Sequence, residues 1–244
     1  MPKIYFVSDI HLGLGSKIEE RIKEDRFIGF LDSIKKDAEQ LFIVGDLFDA
    51  WIEYRNVIPK GFHRTLAKLD EMVQSGISLH FLVGNHDCWV RDYFSEIIGM
   101  KVYLEPFQVQ IQGKKIYLHH GDGHSKNDIG YSILKKIVRH PLSIWFFSWL
   151  HPDIGLRLAR SSSKTSRQYT SQKHYGEGDG MTEFAEQKIK DGNDYVIMGH
   201  RHIPSVNNLA AGIYINLGDW INNGMYAVIE EGKISLREWK SKQE

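Results

Sequence analysis

Aspartate, asparagine and histidine residues fall in five short clusters of this 244-residue chain. Imidazole nitrogen together with carboxylate and amide oxygen suits borderline to hard divalent ions such as Mn, Fe or Zn. A carboxylate can bridge two ions, whereas an imidazole cannot, so this mixture of ligands predicts a site for two metals. In chain order, the clusters are Asp9-Ile10-His11, Gly45-Asp46-Leu47-Phe48-Asp49, Gly84-Asn85-His86-Asp87, His119-His120-Gly121-Asp122 and Gly199-His200-Arg201-His202.

The number of clusters distinguishes a metal site from ordinary turns. A lone Asp-x-His or Gly-Asn-His is more often a turn with a hydrogen-bonded histidine than a metal site. Five such clusters, each placed after an apolar run, make coincidence the weaker explanation. Two ions about 3.5–4 Å apart can bind one phosphoryl group and activate a water between them. The pattern therefore predicts metal-assisted hydrolysis of a phosphoester.

Short apolar runs precede the clusters and predict the elements that position them. Buried strands are predicted at Ile4–Val7, Leu41–Val44, Leu79–Val83, Ile116–Leu118 and Tyr195–Met198. Helical spacing with many Lys and Glu residues predicts helices at Ile18–Asp37 and Phe62–Ser75, between the first three of these strands. Strands that alternate with helices form parallel sheets, whose carboxyl-terminal loops meet at one edge. We therefore expect clusters distant in sequence to converge there.

The C-terminal part of the chain predicts antiparallel pairing. Four apolar runs follow one another through short turns, and Glu231-Gly232 is typical of a hairpin. The runs are Tyr195–Met198, Ile213–Leu217, Met225–Ile229 and Lys233–Arg237.

Residues 126–175 predict a helical insertion, or lid, in a core formed by residues 1–125 and 176–244. The segment has nine basic and two acidic residues, a local charge of +7, so the rest of the uncharged chain carries −7. Apolar residues at helical spacing predict one face of a helix that ends at His151-Pro152. We expect this face to pack on the sheet, although a role in holding a lipid stays open. It consists of Leu142, Trp145, Phe146, Trp149 and Leu150.

Composition and charge limit the partners, the cysteine-based sites and the cellular location that the chain can have. Zero net charge gives no indication of a nucleic-acid partner. The single cysteine, Cys88, excludes a disulfide framework and a Cys-based zinc site. The sequence has no uncharged apolar stretch of about 18 residues, and the first apolar run is too short for a signal peptide. We expect a cytoplasmic protein that meets a membrane only at its surface.

The five clusters resemble the motifs D-x-H, G-D-x-x-D, G-N-H-D/E, H-G and G-H-x-H of the calcineurin-like metallophosphoesterase family, in that order. The resemblance covers nearly the whole chain outside the insertion. It implies an α/β fold, with a β-sandwich of two mixed sheets flanked by helices. The implied ligands of one ion are Asp9, His11, Asp46 and His202. The implied ligands of the other are Asp46, Asn85, His120 and His200, with Asp46 as the bridge.

The same resemblance implies further roles at the site. His86 is expected to face the substrate phosphate as a hydrogen-bond or proton donor, and to act in catalysis with Asp46 and Asn85. Three carboxylates are expected to orient the imidazoles, as partners of metal-bound histidines do. They are Asp49, Asp87 and Asp122.

Two adjacent histidines compete for one ligand position in the fourth cluster. His120 directly precedes Gly121, as the family motif requires, and is therefore the expected ligand. Alternation along the preceding strand predicts that His119 points to the opposite face.

Beyond the metal motifs, the chain resembles the UDP-2,3-diacylglucosamine pyrophosphatases of lipid A biosynthesis. The resemblance lies in Gly45–Trp51, His120–Asp122 with Asp128, Ser161–Arg167 and Tyr175. It implies Mn-dependent hydrolysis of the diphosphate to UMP and 2,3-diacylglucosamine 1-phosphate (lipid X). It also implies an insertion that holds the acyl chains and a peripheral location at the inner membrane. The implied substrate contacts are Asn85, His86, Asp128, Ser163, Arg167, Thr170, Lys173 and His200.

His86 departs from this second pattern, because a well-known branch of that family has arginine at the position. Another nucleotide-sugar diphosphate or a phosphodiester therefore stays open as the substrate. A non-catalytic binding scaffold is less favoured, because scaffolds derived from such enzymes tend to lose ligands and every ligand position is filled here.

Overall fold

The computed structural model describes residues 2–124, 137–159, 161 and 180–240. Within these residues, two mixed β-sheets face each other, which confirms the α/β sandwich implied by the motifs. The first sheet consists, in spatial order, of β11 (Lys233–Glu238), β10 (Met225–Glu230), β1 (Lys3–Val7), β2 (Ala38–Val44), β3 (Ser78–Leu82) and β4 (Lys101–Tyr103). The second consists of β5 (Phe107–Ile111), β6 (Lys114–Leu118), β7 (Tyr195–Met198), β9 (Gly212–Asn216) and β8 (Ser205–Leu209).

Helices cover the outer faces of both sheets. Those used below are α1 (Lys17–Ile34), α2 (His63–Gln74), α3 (Pro141–Ser148) and α4 (Gly180–Lys190). Buried side chains of α1 and α2 pack on the first sheet, and those of α4 pack on the second. A third group of buried apolar residues, including Phe6 and Phe42, lies between the sheets. Because central strands are covered on both faces, they contain continuous apolar runs.

The direction of the strands brings the five clusters to one edge. In the first sheet, β1, β2 and β3 run parallel, and the loops after them carry the first three clusters. In the second sheet, β6 and β7 run parallel, and the loops after them carry the last two. The site therefore lies where the carboxyl ends of both sheets meet.

Three strands have no counterpart in the sequence prediction, namely Lys101–Tyr103, Phe107–Ile111 and Ser205–Leu209. Each lies at an edge of its sheet. Phe107–Ile111 and Ser205–Leu209 alternate between exposed and more buried residues, and Lys101–Tyr103 is only three residues long. Such strands contain no continuous apolar run, which was the signal used for the others. All the predicted strands form, with end points within three residues of the prediction.

The prediction of an antiparallel C-terminal part is correct for β10 with β11. It is wrong for β9 and β10, which lie in different sheets. It is also wrong for β7, which pairs parallel with β9. The physical reason is the edge strand β8, since the chain reverses direction twice between the two apolar runs.

Local capping sets the bounds of the long helix α1. Ser16 accepts a hydrogen bond from the backbone of Glu19, and the Glu19 carboxylate accepts one from the backbone of Ser16. This capping box fixes the start of the helix one residue before the prediction. The helix ends at Ile34, three residues before the predicted Asp37.

The apolar face predicted to pack on the sheet is exposed instead. Helix α3 ends at Ser148, before the predicted stop, and residues 152–159 are again helical, starting at a proline. Phe147, which is not on the predicted face, is partly buried, and its ring centroid lies 4.2 Å from that of Trp89. Leu142, Trp145, Phe146 and Trp149 are 53–75% exposed, so the expectation of core packing is wrong for them. No described helix is long and apolar enough to cross a membrane.

Candidate metal centre

Strained backbone marks most of the predicted metal ligands. Among the described residues, seven other than glycine have positive φ, and five of these are predicted ligands. Left-handed backbone is unfavourable for residues with a Cβ and costs on the order of 1–3 kcal/mol each. It turns each side chain back toward the sheet edge directly after the strand. These five residues are Asp9, His11, Asp46, His200 and His202, with φ between 47° and 69°.

Asp9, His11 and His202 form the first group of donors, with ligand atoms within 4.8 Å of one another. Asp9 Oδ1 lies 3.3 Å from His202 Nε2 and 3.6 Å from His11 Nε2. The other oxygen, Oδ2, accepts hydrogen bonds from Ser8 Oγ and from the backbone of His200. These bonds fix the carboxylate, so that Oδ1 is directed at the two imidazoles.

Asp46, His120 and His200 form the second group, within the same distance limit. Asp46 Oδ2 lies 3.2 Å from His120 Nε2, and Asn85 Oδ1 lies 3.0 Å from that same nitrogen. Asp46 Oδ2 is also 3.7 Å from His11 Nε2 of the first group. One carboxylate oxygen therefore faces both groups, as a bridging ligand must.

His86 lies beside both groups, and its donor atoms cluster with those of His11 and Asp46. Its Nε2 is 3.9 Å from Asp46 Oδ2, and its Nδ1 lies 3.0 Å from the carbonyl oxygen of Asp49. If Nδ1 carries the proton and donates to this carbonyl, Nε2 is directed into the site. The backbone N–H of His86 donates to Asp46 Oδ1 at 2.9 Å, which leaves Oδ2 as the oxygen that faces the imidazoles.

Two of the predicted ligand histidines have an outer partner that orients the ring. His120 Nδ1 lies 2.9 Å from the carbonyl of Val44, and His11 Nδ1 lies 3.6 Å from Asp49 Oδ1. A partner on Nδ1 leaves Nε2 as the nitrogen available to a metal. The predicted orienting role therefore agrees with the position of Asp49.

Asp219 is an orienting carboxylate that the sequence analysis missed. It is buried, and its Oδ2 lies 4.0 Å from His202 Nδ1. It follows β9 in the sequence Leu217-Gly218-Asp219, and the next residue, Trp220, donates its backbone N–H to the carbonyl of Asp9. A Gly-Asp pair shortly after a strand, as in Gly45-Asp46, was the signal that could have identified it.

Asp87 and Asp122 are the other two carboxylates predicted to orient imidazoles, and that role stays a prediction. Asp87 accepts hydrogen bonds from the backbone of Gly84, Asp46 and Phe48, so it holds the loops of the second and third clusters together. Burial, together with the nearby Asp46 carboxylate, raises the pKa of Asp87 to about 7. Asp122 is buried, and its Oδ2 lies 3.7 Å from Arg139 Nη2.

Charge at the site is balanced between carboxylates and imidazoles. Burial lowers the pKa of His120, but the carboxylates, chiefly Asp46, outweigh it and raise the pKa to about 10. Burial opposes the charge of Asp46 as well, yet the surrounding histidines hold its pKa far below the usual range. A buried carboxylate kept ionised beside imidazoles suits a cation, which binds imidazoles in their neutral form. Burial lowers the pKa of His200 to about 4, so this ligand is already neutral.

Burial and unsatisfied atoms show that the residues fit a divalent ion. Among the described residues, the buried atoms without a hydrogen-bond partner include Asp9 Oδ1, the carboxylate oxygen directed at the two imidazoles. Leaving a buried carboxylate oxygen unsatisfied is costly unless a ligand completes it. The donor set of carboxylate, imidazole and amide is the one that such ions prefer.

Five of the predicted substrate contacts lie outside the described residues. They are Asp128, Ser163, Arg167, Thr170 and Lys173. Asn85, His86 and His200 lie at the metal centre, as described above. His119 lies on the opposite face from His120, with its ring 5.5 Å from that of Phe184, as strand alternation predicted.

Comparison with known proteins agrees with this geometry. The calcineurin-like phosphoesterase family model matches residues 2–204. The chain belongs to this family. The protein is accordingly a metal-dependent phosphoester hydrolase, as the motifs predicted. Its relatives include the UDP-2,3-diacylglucosamine hydrolase of Porphyromonas gingivalis, which is 32% identical over 93% of each chain. The enzyme of the same name from Pseudomonas fluorescens is 31% identical, over 96% of this chain and 94% of its own.

A solved structure supports the fold of this phosphoesterase. An archaeal phosphodiesterase superposes with a TM-score of 0.51 over 97% of this chain and 99% of its own. At 14% sequence identity, the likeness concerns the fold alone.

Proposed function

We propose that this phosphoesterase hydrolyses the diphosphate of UDP-2,3-diacylglucosamine to UMP and 2,3-diacylglucosamine 1-phosphate (lipid X), a step of lipid A biosynthesis. The observation that carries the proposal is the likeness, over nearly the full length, to hydrolases named for that substrate. The metal centre described above supplies the chemistry that this reaction needs.

The proposed centre holds two divalent ions, with Mn as the preferred metal. Asp9, His11 and His202 would hold one ion, and Asn85, His120 and His200 would hold the other, with Asp46 shared between them. When bound, the pair would supply Lewis-acid chemistry, which favours ionisation of water and offsets negative charge at the phosphorus under attack.

The residues around the ions orient the substrate. His86 directs Nε2 into the site beside Asp46, where it is placed to contact a phosphate oxygen. Asn85 presents its amide next to His120 and contacts the same phosphate. Because the left-handed backbone and the outer hydrogen bonds fix these groups in advance, little reorganisation is needed when substrate binds.

The insertion is proposed to act as a lid that recognises the lipid. The exposed Leu142, Trp145, Phe146 and Trp149 form an apolar face, and the segment that contains them is strongly basic. Such a surface suits acyl chains next to a diphosphate, and it suits a protein that works at the inner face of the membrane. The proposed location is therefore cytoplasmic and peripheral, without a nucleic-acid partner. Asp128, Ser163, Arg167, Thr170 and Lys173 remain predicted contacts to the glucosamine and the phosphates.

The test is incubation of the purified protein with UDP-2,3-diacylglucosamine and Mn²⁺, with UMP release as the measured product. We expect UMP and lipid X in equal amounts and no release after chelation. UDP-N-acetylglucosamine, which lacks the acyl chains, is the matched control and is expected to react far more slowly. A stronger preference for a nucleotide-sugar without acyl chains, or for a phosphodiester, would contradict the lipid assignment and would fit the presence of His86 where a relative branch has arginine.

A further inference from the structure

One arginine of the predicted insertion reaches the loops of the metal centre. Arg139 Nη2 donates to the carbonyl oxygen of Gly84 at 3.1 Å and lies 3.7 Å from Asp122 Oδ2. Its Nη1 donates to the carbonyl of Leu104 at 3.4 Å. The side chain is about one-fifth exposed. The guanidinium therefore joins the third cluster, the fourth cluster and the insertion.

The peptide that Arg139 holds is one that the metal centre depends on. Gly84 directly precedes Asn85, and a Cβ at Gly84 would collide with the carboxylate of Asp46. Two residues on, the backbone of His86 donates to that same carboxylate. The position of this loop therefore sets both the amide of Asn85 and the orientation of the bridging oxygen of Asp46.

A second contact ties the far end of the same loop to the insertion. Trp89 Nε1 donates to the carbonyl of Val138 at 3.0 Å, and its ring packs against Phe147 of α3. The backbone of Trp89 is in turn paired with Ile52 in the loop after the second cluster. Consecutive residues of the insertion, Val138 and Arg139, thus hold the two ends of the loop that carries Asn85.

We infer that Arg139 is a positioning residue, which fixes Asn85 and Asp46 for metal binding by holding the Gly84 peptide from the insertion. The inference rests on the ligand assignment under the proposed function. An arginine suits this role because its planar fork can donate in two directions while its charge faces Asp122. A lysine keeps the charge, but its single ammonium group cannot donate to the carbonyl oxygens of Gly84 and Leu104 with the geometry of the guanidinium.

The experiment measures Mn²⁺ binding directly, by calorimetric titration of Arg139→Lys and Arg139→Met. We expect the Kd for Mn²⁺ to rise about 10- to 100-fold in both, the range typical of lost outer partners of metal ligands. Arg157→Met is the matched control, since Arg157 is an exposed arginine of the same segment, and its Kd should equal that of the wild type. If Arg139→Met does not fold, Arg139→Lys decides the question.

Steady-state kinetics with bis-p-nitrophenyl phosphate at saturating Mn²⁺ give a second measurement. This small ester does not need the insertion to hold acyl chains, so a lower kcat with little change in KM supports the positioning role. A Kd for Mn²⁺ equal to that of the wild type, with only a lower Tm, would overturn it. A rise confined to KM would also overturn it, because it would make Arg139 a substrate contact. Because neither assay uses the lipid substrate, failure of the substrate assignment would leave both measurements interpretable.

Discussion

Asp46 combines three roles that one carboxylate seldom has. Its Oδ1 accepts the backbone N–H of His86, and its Oδ2 faces His120 of one group and His11 of the other. The carboxylate is fully buried and kept ionised by the histidines around it. A change that keeps its shape but removes its charge therefore tests the two-metal assignment directly.

Asp46→Asn is expected to lower kcat by more than about 100-fold, beyond the usual effect of losing an outer partner of a metal ligand. The amide can still occupy the space, but it cannot bridge two cations as a carboxylate does. Metal content by elemental analysis should fall from two ions toward one per chain. Wild-type turnover in this variant would contradict the assignment.

Asp219→Asn tests the orienting carboxylate found in the structure. Without its charge beside His202 Nδ1, the imidazole is less basic and less well oriented, so we expect about 10- to 100-fold weaker Mn²⁺ binding. Asp194→Asn is the control, because Asp194 forms its ion pair with Lys114 at the opposite end of β6. Equal Mn²⁺ affinity in Asp219→Asn and Asp194→Asn would show that Asp219 has no such role.

At the scale of elements, strands were predictable in proportion to their burial. The runs Ile4–Val7 and Leu41–Val44 are apolar throughout because helices and the facing sheet cover them on both sides. The edge strand Ser205–Leu209 alternates between partly buried and exposed residues, so its sequence contains little signal. A weak sequence signal also explains why Asp219, the orienting carboxylate beside His202, was missed. Asp219 follows a strand as the other clusters do, but no histidine lies next to it in the sequence.

Helix α3 shows where sequence patterns are insufficient. Apolar residues at helical spacing normally indicate a face that packs on a core, and Trp145 and Trp149 follow that spacing. The spacing identifies the helix correctly, but it cannot tell which surface, whether protein or lipid, covers the face. The position of the helix relative to the sheets is set by contacts such as Trp89 with Phe147, which are distant in sequence.

His80 of β3 makes the stability of the sheet dependent on pH. Its ring is 5% exposed and stacks on Phe42, with Nδ1 3.0 Å from the hydroxyl of Tyr103 and Nε2 3.2 Å from Ser78 Oγ. Burial, and next the charge of Lys101, lower its pKa from 6.5 to about 4. The folded state thus takes up the proton less readily than the unfolded chain. The stability contributed by the neutral ring is present above pH 6.5 and is lost as the pH falls toward 4.

His80→Gln should make the free energy of unfolding depend less on pH between pH 6.5 and 4. We expect urea unfolding between pH 4 and 7.5 to show a decrease in the free energy of unfolding as the pH falls. The decrease should be larger in the wild type than in the variant by on the order of 1 kcal/mol. His151→Gln replaces an exposed histidine and should keep the wild-type slope. Identical slopes in wild type and His80→Gln would refute the effect.

At the scale of the whole molecule, the excess positive charge and the exposed aromatic side chains lie in the same segment of the chain. The predicted insertion carries +7, the rest of the chain carries −7, and the exposed aromatic residues of α3 lie within the basic part. We therefore expect an anionic surface to orient the molecule, since the basic part is attracted and the acidic part is repelled.

Replacing Trp145, Phe146 and Trp149 together with serine is expected to weaken binding to vesicles that contain anionic phospholipid. Inserting each aromatic ring into lipid contributes about 2 kcal/mol, so even partial insertion makes the loss exceed tenfold. Tm should stay close to that of the wild type, because these side chains are already exposed. Ile18→Ser with Ile22→Ser is the control, since it removes exposed apolar residues from α1. Equal loss in both variants would contradict a specific role for α3 and would indicate general surface hydrophobicity.

The left-handed backbone at the five predicted ligand positions has a consequence for how this protein can be improved. Glycine adopts that conformation without cost, so replacing a ligand with glycine relieves strain while it removes a donor atom. A selection that rewards only resistance to heat would therefore favour loss of the very residues proposed to bind metal. Engineering a more robust enzyme of this kind should accordingly hold these positions fixed and seek its gains elsewhere, for example in surface turns, where stability and turnover do not compete.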